Sequence, residues 1–578
     1  MKEEEVRIQS SQNPTKGLGA WRTSPRGVAL ILVMLVLTML SLLTAAIVFT
    51  ARADTMASYN YKLTTQADYL AKAGVQQALN WFRSSRYQAV SESQATTYYN
   101  VTATGSIYNL YSSSTSPVKC VAASPNCPSP NATVQLFSIP GTGSSNFPNI
   151  TNASGVAVAQ AFASDLGSIR LTGDSLNSGT VSINAVLLSY QTLNAGNPPA
   201  VTPTAVETWL ITSRATWTGT ASVTGSAASA EEQAIIQPLY FPSYGHALYG
   251  YCSVTMQGSA GVCTDAFNSD LGPYAGGNLT VASGQCNSTT ATNVISADAG
   301  VGANGGVTLG SNVVVSGNVV IGQNPTPGCT ASGFTGNTGS VLGQVLNGPH
   351  IDPTPVPTFP SDFPSGAPSY TLSGSGSTLT LPAGAPSNPS FGYPGTSPPY
   401  TTWTGPCMAG LTCDGTKDHP YLIDKLKMQN NSSTVTLIGS SSSRNPVYYD
   451  IDNFQQTGGT LIVTGYVVLN IRTTFSINGS GISNGVSSDI APEYVKINYA
   501  GTSSVSVGGG GAISALIDAP NADVTLGGGG SDGYMVGAVK ANNITVQGGY
   551  PVHYDVQLNR AGGSVGVMVT TGYSRSKF

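Results

Sequence analysis

The sequence predicts an α+β chain that is mostly β: a long N-terminal transmembrane and amphipathic helix, a β-rich domain, and a β-solenoid-like C-terminal domain. Three observations carry this expectation. The run Val28 to Ala51 holds no charged residue, and apolar residues at steps of three and four follow it without a break. No proline interrupts the chain from there until Pro117. Further on, β-branched and aromatic residues alternate over short stretches between Gly, Asn, Ser and Thr, the pattern of strands and tight turns.

Composition narrows the functional classes. The chain has 578 residues with only 9 % charged, 68 Gly, 35 Pro, and 27 Tyr against 14 Phe, which argues against a cytosolic helical enzyme. A hydrophobic content of 40 % can supply a core, which argues against disorder. The net charge is −4 with no basic patch, so nucleic-acid binding is not expected. No cofactor, metal or catalytic residue is expected either.

Residues 1–27 read as a basic leader. The 24 positions from Val28 to Ala51 span roughly 36 Å as a helix, against a hydrocarbon core of about 30 Å. A secretory signal has a shorter core of about 7–15 residues, so this segment is expected to cross a membrane. Lys2, Arg7, Lys16, Arg22 and Arg26 precede it and place the N-terminus in the cytoplasm. Beyond Arg52, the residues Tyr59, Leu63, Ala67, Leu70, Gly74, Ala78 and Trp81 share one helical face. The helix is expected over 28–88, from Val28 to about Arg86.

The stretch "SPRGVALILVMLVLTMLSLLTAA" followed by "ADYLAKAGVQQALNW" resembles the N-terminal segment of type IV pilin-like proteins. It is most similar to minor pilins of the PilX class and to K-type pseudopilins of type II secretion. The resemblance implies that Gly27 ends the leader, that prepilin peptidase cuts after it, and that Val28 is the N-methylated first residue of the mature chain. It also implies other pilin or pseudopilin subunits as partners through the helix, and a place in the inner membrane, then at the cell surface or in a pilus. Most pilins carry Glu at the fifth mature position; here that position is Leu32. K-type pseudopilins and many PilX-class sequences share the omission, which suits a tip or low-abundance subunit.

Residues 89–242 read as the β-rich domain, and Glu207, Glu231 and Glu232 are expected on a solvated strand face. From residue 243, strands such as "GGVTLGSNVVVSGNVVIGQN" and "GGTLIVTGYVVLNI" are punctuated by Gly and Asn, which tolerate the positive φ of tight turns. That pattern suggests a parallel β-helix or a sandwich; without a strict period, any solenoid is irregular. Its expected parts are 243–347 and 401–578, joined by a Pro-rich, extended, surface-lying connection over 348–400. The stretch "TLSGSGSTLTLP" within that connection is expected to form one strand. The C-terminal block is also similar to a β-helical domain of unassigned function found behind PilX-type N-termini. His553 and Asp555 lie in its closing "HYD". They read either as a His–Asp acid/base pair or half a metal site, or as a hydrogen-bonded cap on the last rung, the reading preferred here.

Eight cysteines, all beyond the apolar segment, favour disulfides over zinc in an exported chain. Local pairing joins Cys120 to Cys127, Cys252 to Cys263 and Cys407 to Cys413, leaving Cys286 with Cys329. "GISNG" (Gly481–Gly485) and "GVGANG" (Gly300–Gly305) match a nucleophile elbow and a dinucleotide loop, but no helical pattern follows either one. Asp265, Asp270, Asp450, Asp452, Asp518 and Asp523 lack the spacing of a calcium loop. The function expected is a non-enzymatic minor pilin-like subunit acting in pilus assembly, tip display, adhesion or aggregation, with surface carbohydrate as a compatible ligand. The alternatives are a pseudopilin contacting cargo or channel, and an anchored β-helix enzyme acting on polysaccharide. The last would need Asp, Arg and Lys clustered along one solenoid face.

Overall fold

A computed structural model describes residues 25–99, 117–121, 127–139, 143–167, 169–172, 178–218, 227–258, 262–269, 286, 294–295, 298–323, 325–359, 366–385, 398–400, 412–483, 491–528, 533–560 and 562–577. The chain is mostly β, behind one long N-terminal helix. That helix, α1, runs unbroken for 58 residues, Pro25–Phe82. Pro25 suits a first helical position because its missing N–H would have no partner there. The helix stops four residues short of the expected end. The Ser84 N–H reaches back only three residues, to the Trp81 carbonyl, and this tighter turn closes it.

The two halves of α1 differ in what surrounds them. From Val28 to Phe49 the Val, Leu, Ile, Met and Phe side chains are exposed. From Leu63 onward, Ala67, Leu70, Ala71, Val75, Ala78 and Leu79 are buried against an antiparallel sheet. Gly74 is needed at this contact, since a Cβ there would stand 2.2 Å from Ser213 Oγ and 2.8 Å from Val181 Cγ1. The main strands of the sheet are Ser178–Asn197, Ala200–Thr218 and Ala227–Pro242, paired in that order. A fourth long strand, Gly563–Lys577, comes from the far end of the chain and pairs with Ala227–Pro242. Its sequence suggested membership in the C-terminal block; its backbone bonds place it in the N-terminal sheet.

The expectation of a solvated face for the three glutamates is overturned. Glu207, Glu231 and Glu232 are all buried. Glu207 accepts hydrogen bonds from the Val90 N–H (3.3 Å) and Trp209 Nε1 (3.2 Å). Arg214 pairs with Glu231, while Arg575 of the C-terminal strand lies 3.5 Å from Glu232 and pairs with Asp68 of α1. Alternation along a strand shows which residues share a face, but not which face a helix then covers.

The remaining strands form a 22-stranded sheet among the described residues. Most of its pairings are parallel and many skip one strand: Tyr421–Met428 with Val447–Gln456, and Thr434–Leu437 with Thr460–Val463. Val447–Gln456 then pairs with Val467–Ile477. Inward positions carry Val, Ile, Leu, Phe and Tyr in continuous columns, such as Ile423, Ile451, Ile471 and Tyr499. The order of the stack departs from the order of the chain. Tyr534–Val546 pairs with Leu248–Met256, so the strands from 248 to 348 continue the stack beyond 546. Within 348–400, "TLSGSGSTLTLP" supplies two strands instead of one, Ser369–Leu372 and Thr378–Leu381, each in the stack.

Stacking also corrects two of the expected disulfides. Cys120 bonds to Cys127 as expected, but Cys252 bonds to Cys329 and Cys263 to Cys286, with Cα separations of 5.3 and 6.0 Å. A parallel stack brings a residue close to the layer above it, not to the next strand along the chain. Thus Gly305 N–H donates to the Cys252 carbonyl at 2.8 Å, and the loop carrying Cys329 packs there. Cys413 is disulfide-bonded as well; Cys407 lies outside the described residues.

Candidate functional site

Three regions bring together groups with chemistry to offer. The first is the apolar half of α1. Val28 and Leu32 are 51 % and 59 % exposed, so neither is covered by the chain's own β structure. This helix is long and apolar enough to cross a membrane, and the disulfides are consistent with a location outside the cytoplasm. Gly27 lies in its first turns; residues 1–24 of the leader are outside the described residues.

The second region surrounds His553. Parallel pairing sets the strand Val552–Asp555 beside Val262–Phe267, with His553 in register with Asp265. His553 Nδ1 lies 2.5 Å from Asp265 Oδ1, and both residues are buried. The imidazole partner is therefore a carboxylate 288 positions earlier, not the neighbouring Asp555. Asp555 takes the capping role: its Oδ1 accepts from the Gln557 N–H at 3.1 Å, at the start of a 3₁₀ turn, and from the Ser269 N–H at 3.2 Å. Cys263 stands two residues before Asp265 on the same face of its strand, and the Cys263–Cys286 disulfide completes the group.

The third region is a polar column on the outer face of the stack. Asp450, Asn470, Asn498, Asp518, Lys540 and Tyr249 follow one another in register through six successive layers. Asn470 Nδ2 donates to Asp450 at 2.8 Å, and Asn498 Nδ2 donates to Asn470 at 2.9 Å. Lys540 Nζ lies 4.0 Å from Asp518 Oδ2, beneath the rings of Tyr244 and Tyr251, and donates to Thr354 Oγ1 at 2.9 Å. Lys496 is 5 % exposed beside this pair. Burial pushes its ammonium down to about 8, against the opposing pull of Asp518. Asp450 is pushed up to about 6 by burial, with Asn470 resisting. His246 is pushed down to about 4 by burial and by Lys540.

The other sequence candidates separate. Asp452 pairs with Arg472 at 2.9 Å, and Asp523 accepts from Asn543 at 2.8 Å, so neither converges with Asp265, Asp450 or Asp518 on one point. Asp270 and Gly485 lie outside the described residues. Gly300–Gly305 spans the stack strand Val301–Ala303, and another strand follows it instead of a helix. Sequence reasoning missed Lys496, Lys540, Tyr249 and Tyr251. A signal was present: in a chain only 9 % charged, "YVKINY" and "GAVKANN" each set a lysine inside an apolar strand. No family model matches the chain, and neither a curated protein nor a solved structure matches it.

Proposed function

We propose that the protein is a non-enzymatic minor type IV pilin-like subunit whose β-rich domains, ending in a β-solenoid-like head, are displayed outside the cell. One observation carries this reading: α1 is continuous from its exposed apolar half to the half buried in the first sheet. Each large apolar side chain left in water forgoes roughly 1.5–3 kcal/mol, so the segment Val28–Ala51 needs either lipid or the same segment of neighbouring subunits. A helix rooted in a folded domain can exchange one for the other without refolding the head. Leu32 in place of an acidic residue suits a low-abundance or tip position. The head would then act in pilus initiation, adhesion or aggregation, or against cargo and channel if the system is a secretion pseudopilus.

The test is the mature N-terminus, read by mass spectrometry in cells with and without prepilin peptidase. A methylated start at Val28 that depends on the peptidase supports the proposal, and recovery in sheared filaments assigns the subunit to a pilus. An intact leader in both cells rejects it.

A second reading, an anchored enzyme acting on polysaccharide, is favoured by Asp450, Lys496, Asp518 and Lys540 lying on one outer face. Incubation with neutral and acidic polysaccharides discriminates between the two. Release of new chain ends makes the protein an enzyme, and intact polymer throughout leaves the column a structural ladder.

A further inference from the structure

We infer that Cys263, Cys286, His553 and Asp265 form a redox-gated site for a zinc-type divalent cation. Asp265, Cys286 and His553 each offer a ligand atom, and these atoms lie within 4.8 Å of one another. Cys263 is tied to Cys286, and their Cα atoms are 6.0 Å apart. Tetrahedral coordination with bonds of about 2.3 Å to sulfur sets two thiolates roughly 3.8 Å apart, which modest side-chain rotation from this backbone can reach. The chain positions the set by two simple rules. Cys263 and Asp265 share a strand face at spacing two, and parallel register adds His553 across from Asp265.

Burial argues for a role beyond filling the interior. Asp265 is 0 % and His553 3 % exposed, although both lie on the strand face opposite the apolar columns that hold Val262, Ala266, Val552 and Tyr554. A carboxylate–imidazole pair adds little stability there compared with the Val and Ile of neighbouring layers. Sulfur, nitrogen and one carboxylate oxygen suit Zn²⁺ or Co²⁺ and not Ca²⁺ or Mg²⁺.

The disulfide keeps the site closed. Opening it takes two electrons and two protons, both from a pair of thiols that ends as a disulfide, or the electrons from a phosphine that ends as its oxide and the protons and oxygen from water, giving two thiols at Cys263 and Cys286. The cation then displaces both thiol protons and binds two thiolates, the imidazole and the Asp265 carboxylate. Reoxidation by a disulfide or other two-electron oxidant restores the cystine and expels the ion.

The experiment uses the full chain in detergent, with Co²⁺ as the probe, before and after reduction by a phosphine under anaerobic conditions. The expected result is one equivalent of Co²⁺ bound only after reduction, with thiolate-to-cobalt charge-transfer absorption that Zn²⁺ abolishes. Cys252→Ser/Cys329→Ser, which removes another disulfide, should keep that signal. Cys263→Ser/Cys286→Ser should lose it, and Asp265→Asn should weaken binding about 10–100-fold. Equal cobalt uptake by oxidised and reduced wild-type protein, or a reduced protein without charge-transfer absorption, overturns the inference whether or not the variants fold. Full signal in Cys263→Ser/Cys286→Ser overturns it as well.

Discussion

Glu207 shows how a single residue registers its surroundings. Burial pushes its carboxyl up to about 8, and the hydrogen bonds from the Val90 N–H and Trp209 Nε1 offset only part of that shift. The unfolded chain releases this proton near pH 4.3, so the folded protein holds one extra proton between there and about pH 8. Stability from this group is therefore greatest below about pH 4.3, falls as pH rises to about 8, and is level above. Glu207→Gln keeps an acceptor and has no proton to lose. The difference in stability between wild type and variant, followed by denaturant melts from pH 5 to 9, should move by a few kcal/mol in favour of the variant toward high pH, an order-of-magnitude figure. A pH-independent difference would show that the carboxylate is ionised and paired in the native state. Asp68 and Glu232 make the complementary point: both carboxylates are buried between α1 and the sheet, and the exposed Arg575 guanidinium reaches each of them.

Among the elements, the Pro-rich segment has a mechanical reason for its composition. Val345–Gly348 lies at one end of the stack and Ser369–Leu372 at the other, ten layer steps apart through the pairings that connect them. At about 4.8 Å per step, residues 349–368 must bridge roughly 48 Å. Twenty residues in extended polyproline conformation reach about 62 Å, whereas a helix of that length reaches about 30 Å. Proline removes the helical option and lowers the entropy lost on extension. On its way the segment binds the outer face, with the Ile351 N–H donating to Asn304 Oδ1 at 3.0 Å and the Thr354 N–H to Tyr251 at 3.2 Å. Deleting residues 355–362 leaves about 37 Å of reach, short of the span. That variant should lose the cooperative melt of the head, or lose pairing of Ser369–Leu372, seen as fast amide exchange. A native melt with native protection would refute the spanning role.

For the whole molecule, the head is an insertion. Pro242 and Gly563 are register partners on adjacent antiparallel strands, and the Ser243 N–H donates to the Gly562 carbonyl at 3.3 Å. Everything from 243 to 562 leaves and re-enters the first sheet at one point. Joining Pro242 to Gly563 through a two-residue Asn-Gly turn should therefore close an ordinary hairpin. The shortened chain should keep the first domain folded, with the Cys120–Cys127 disulfide formed and a single cooperative melt. A chain that aggregates or lacks that melt would show that the head completes the core of the first domain. Such an insertion lets the inserted domain change without altering the helix and sheet that hold it.

Local physics made much of this readable from the sequence. The helix from Val28, its apolar first half and the face carrying Leu63, Ala67 and Leu70 follow from charge exclusion and a period of 3.6 residues. The many short strands follow from β-branched runs broken by Gly and Asn, and Cys120–Cys127 from short separation. Each is settled within a few turns of chain. The partner of His553, the pairings Cys252–Cys329 and Cys263–Cys286, and the column through Asp518 and Lys540 depend instead on which strand lies in the layer above. Strand spacing says nothing about that choice. The burial of Glu207, Glu231 and Glu232 was equally hidden, because a strand's alternation does not say which face a helix and a C-terminal strand will cover. Only the stacked, re-entrant tertiary structure decides these, because contacts between residues hundreds of positions apart are set by packing and register, which no local window contains.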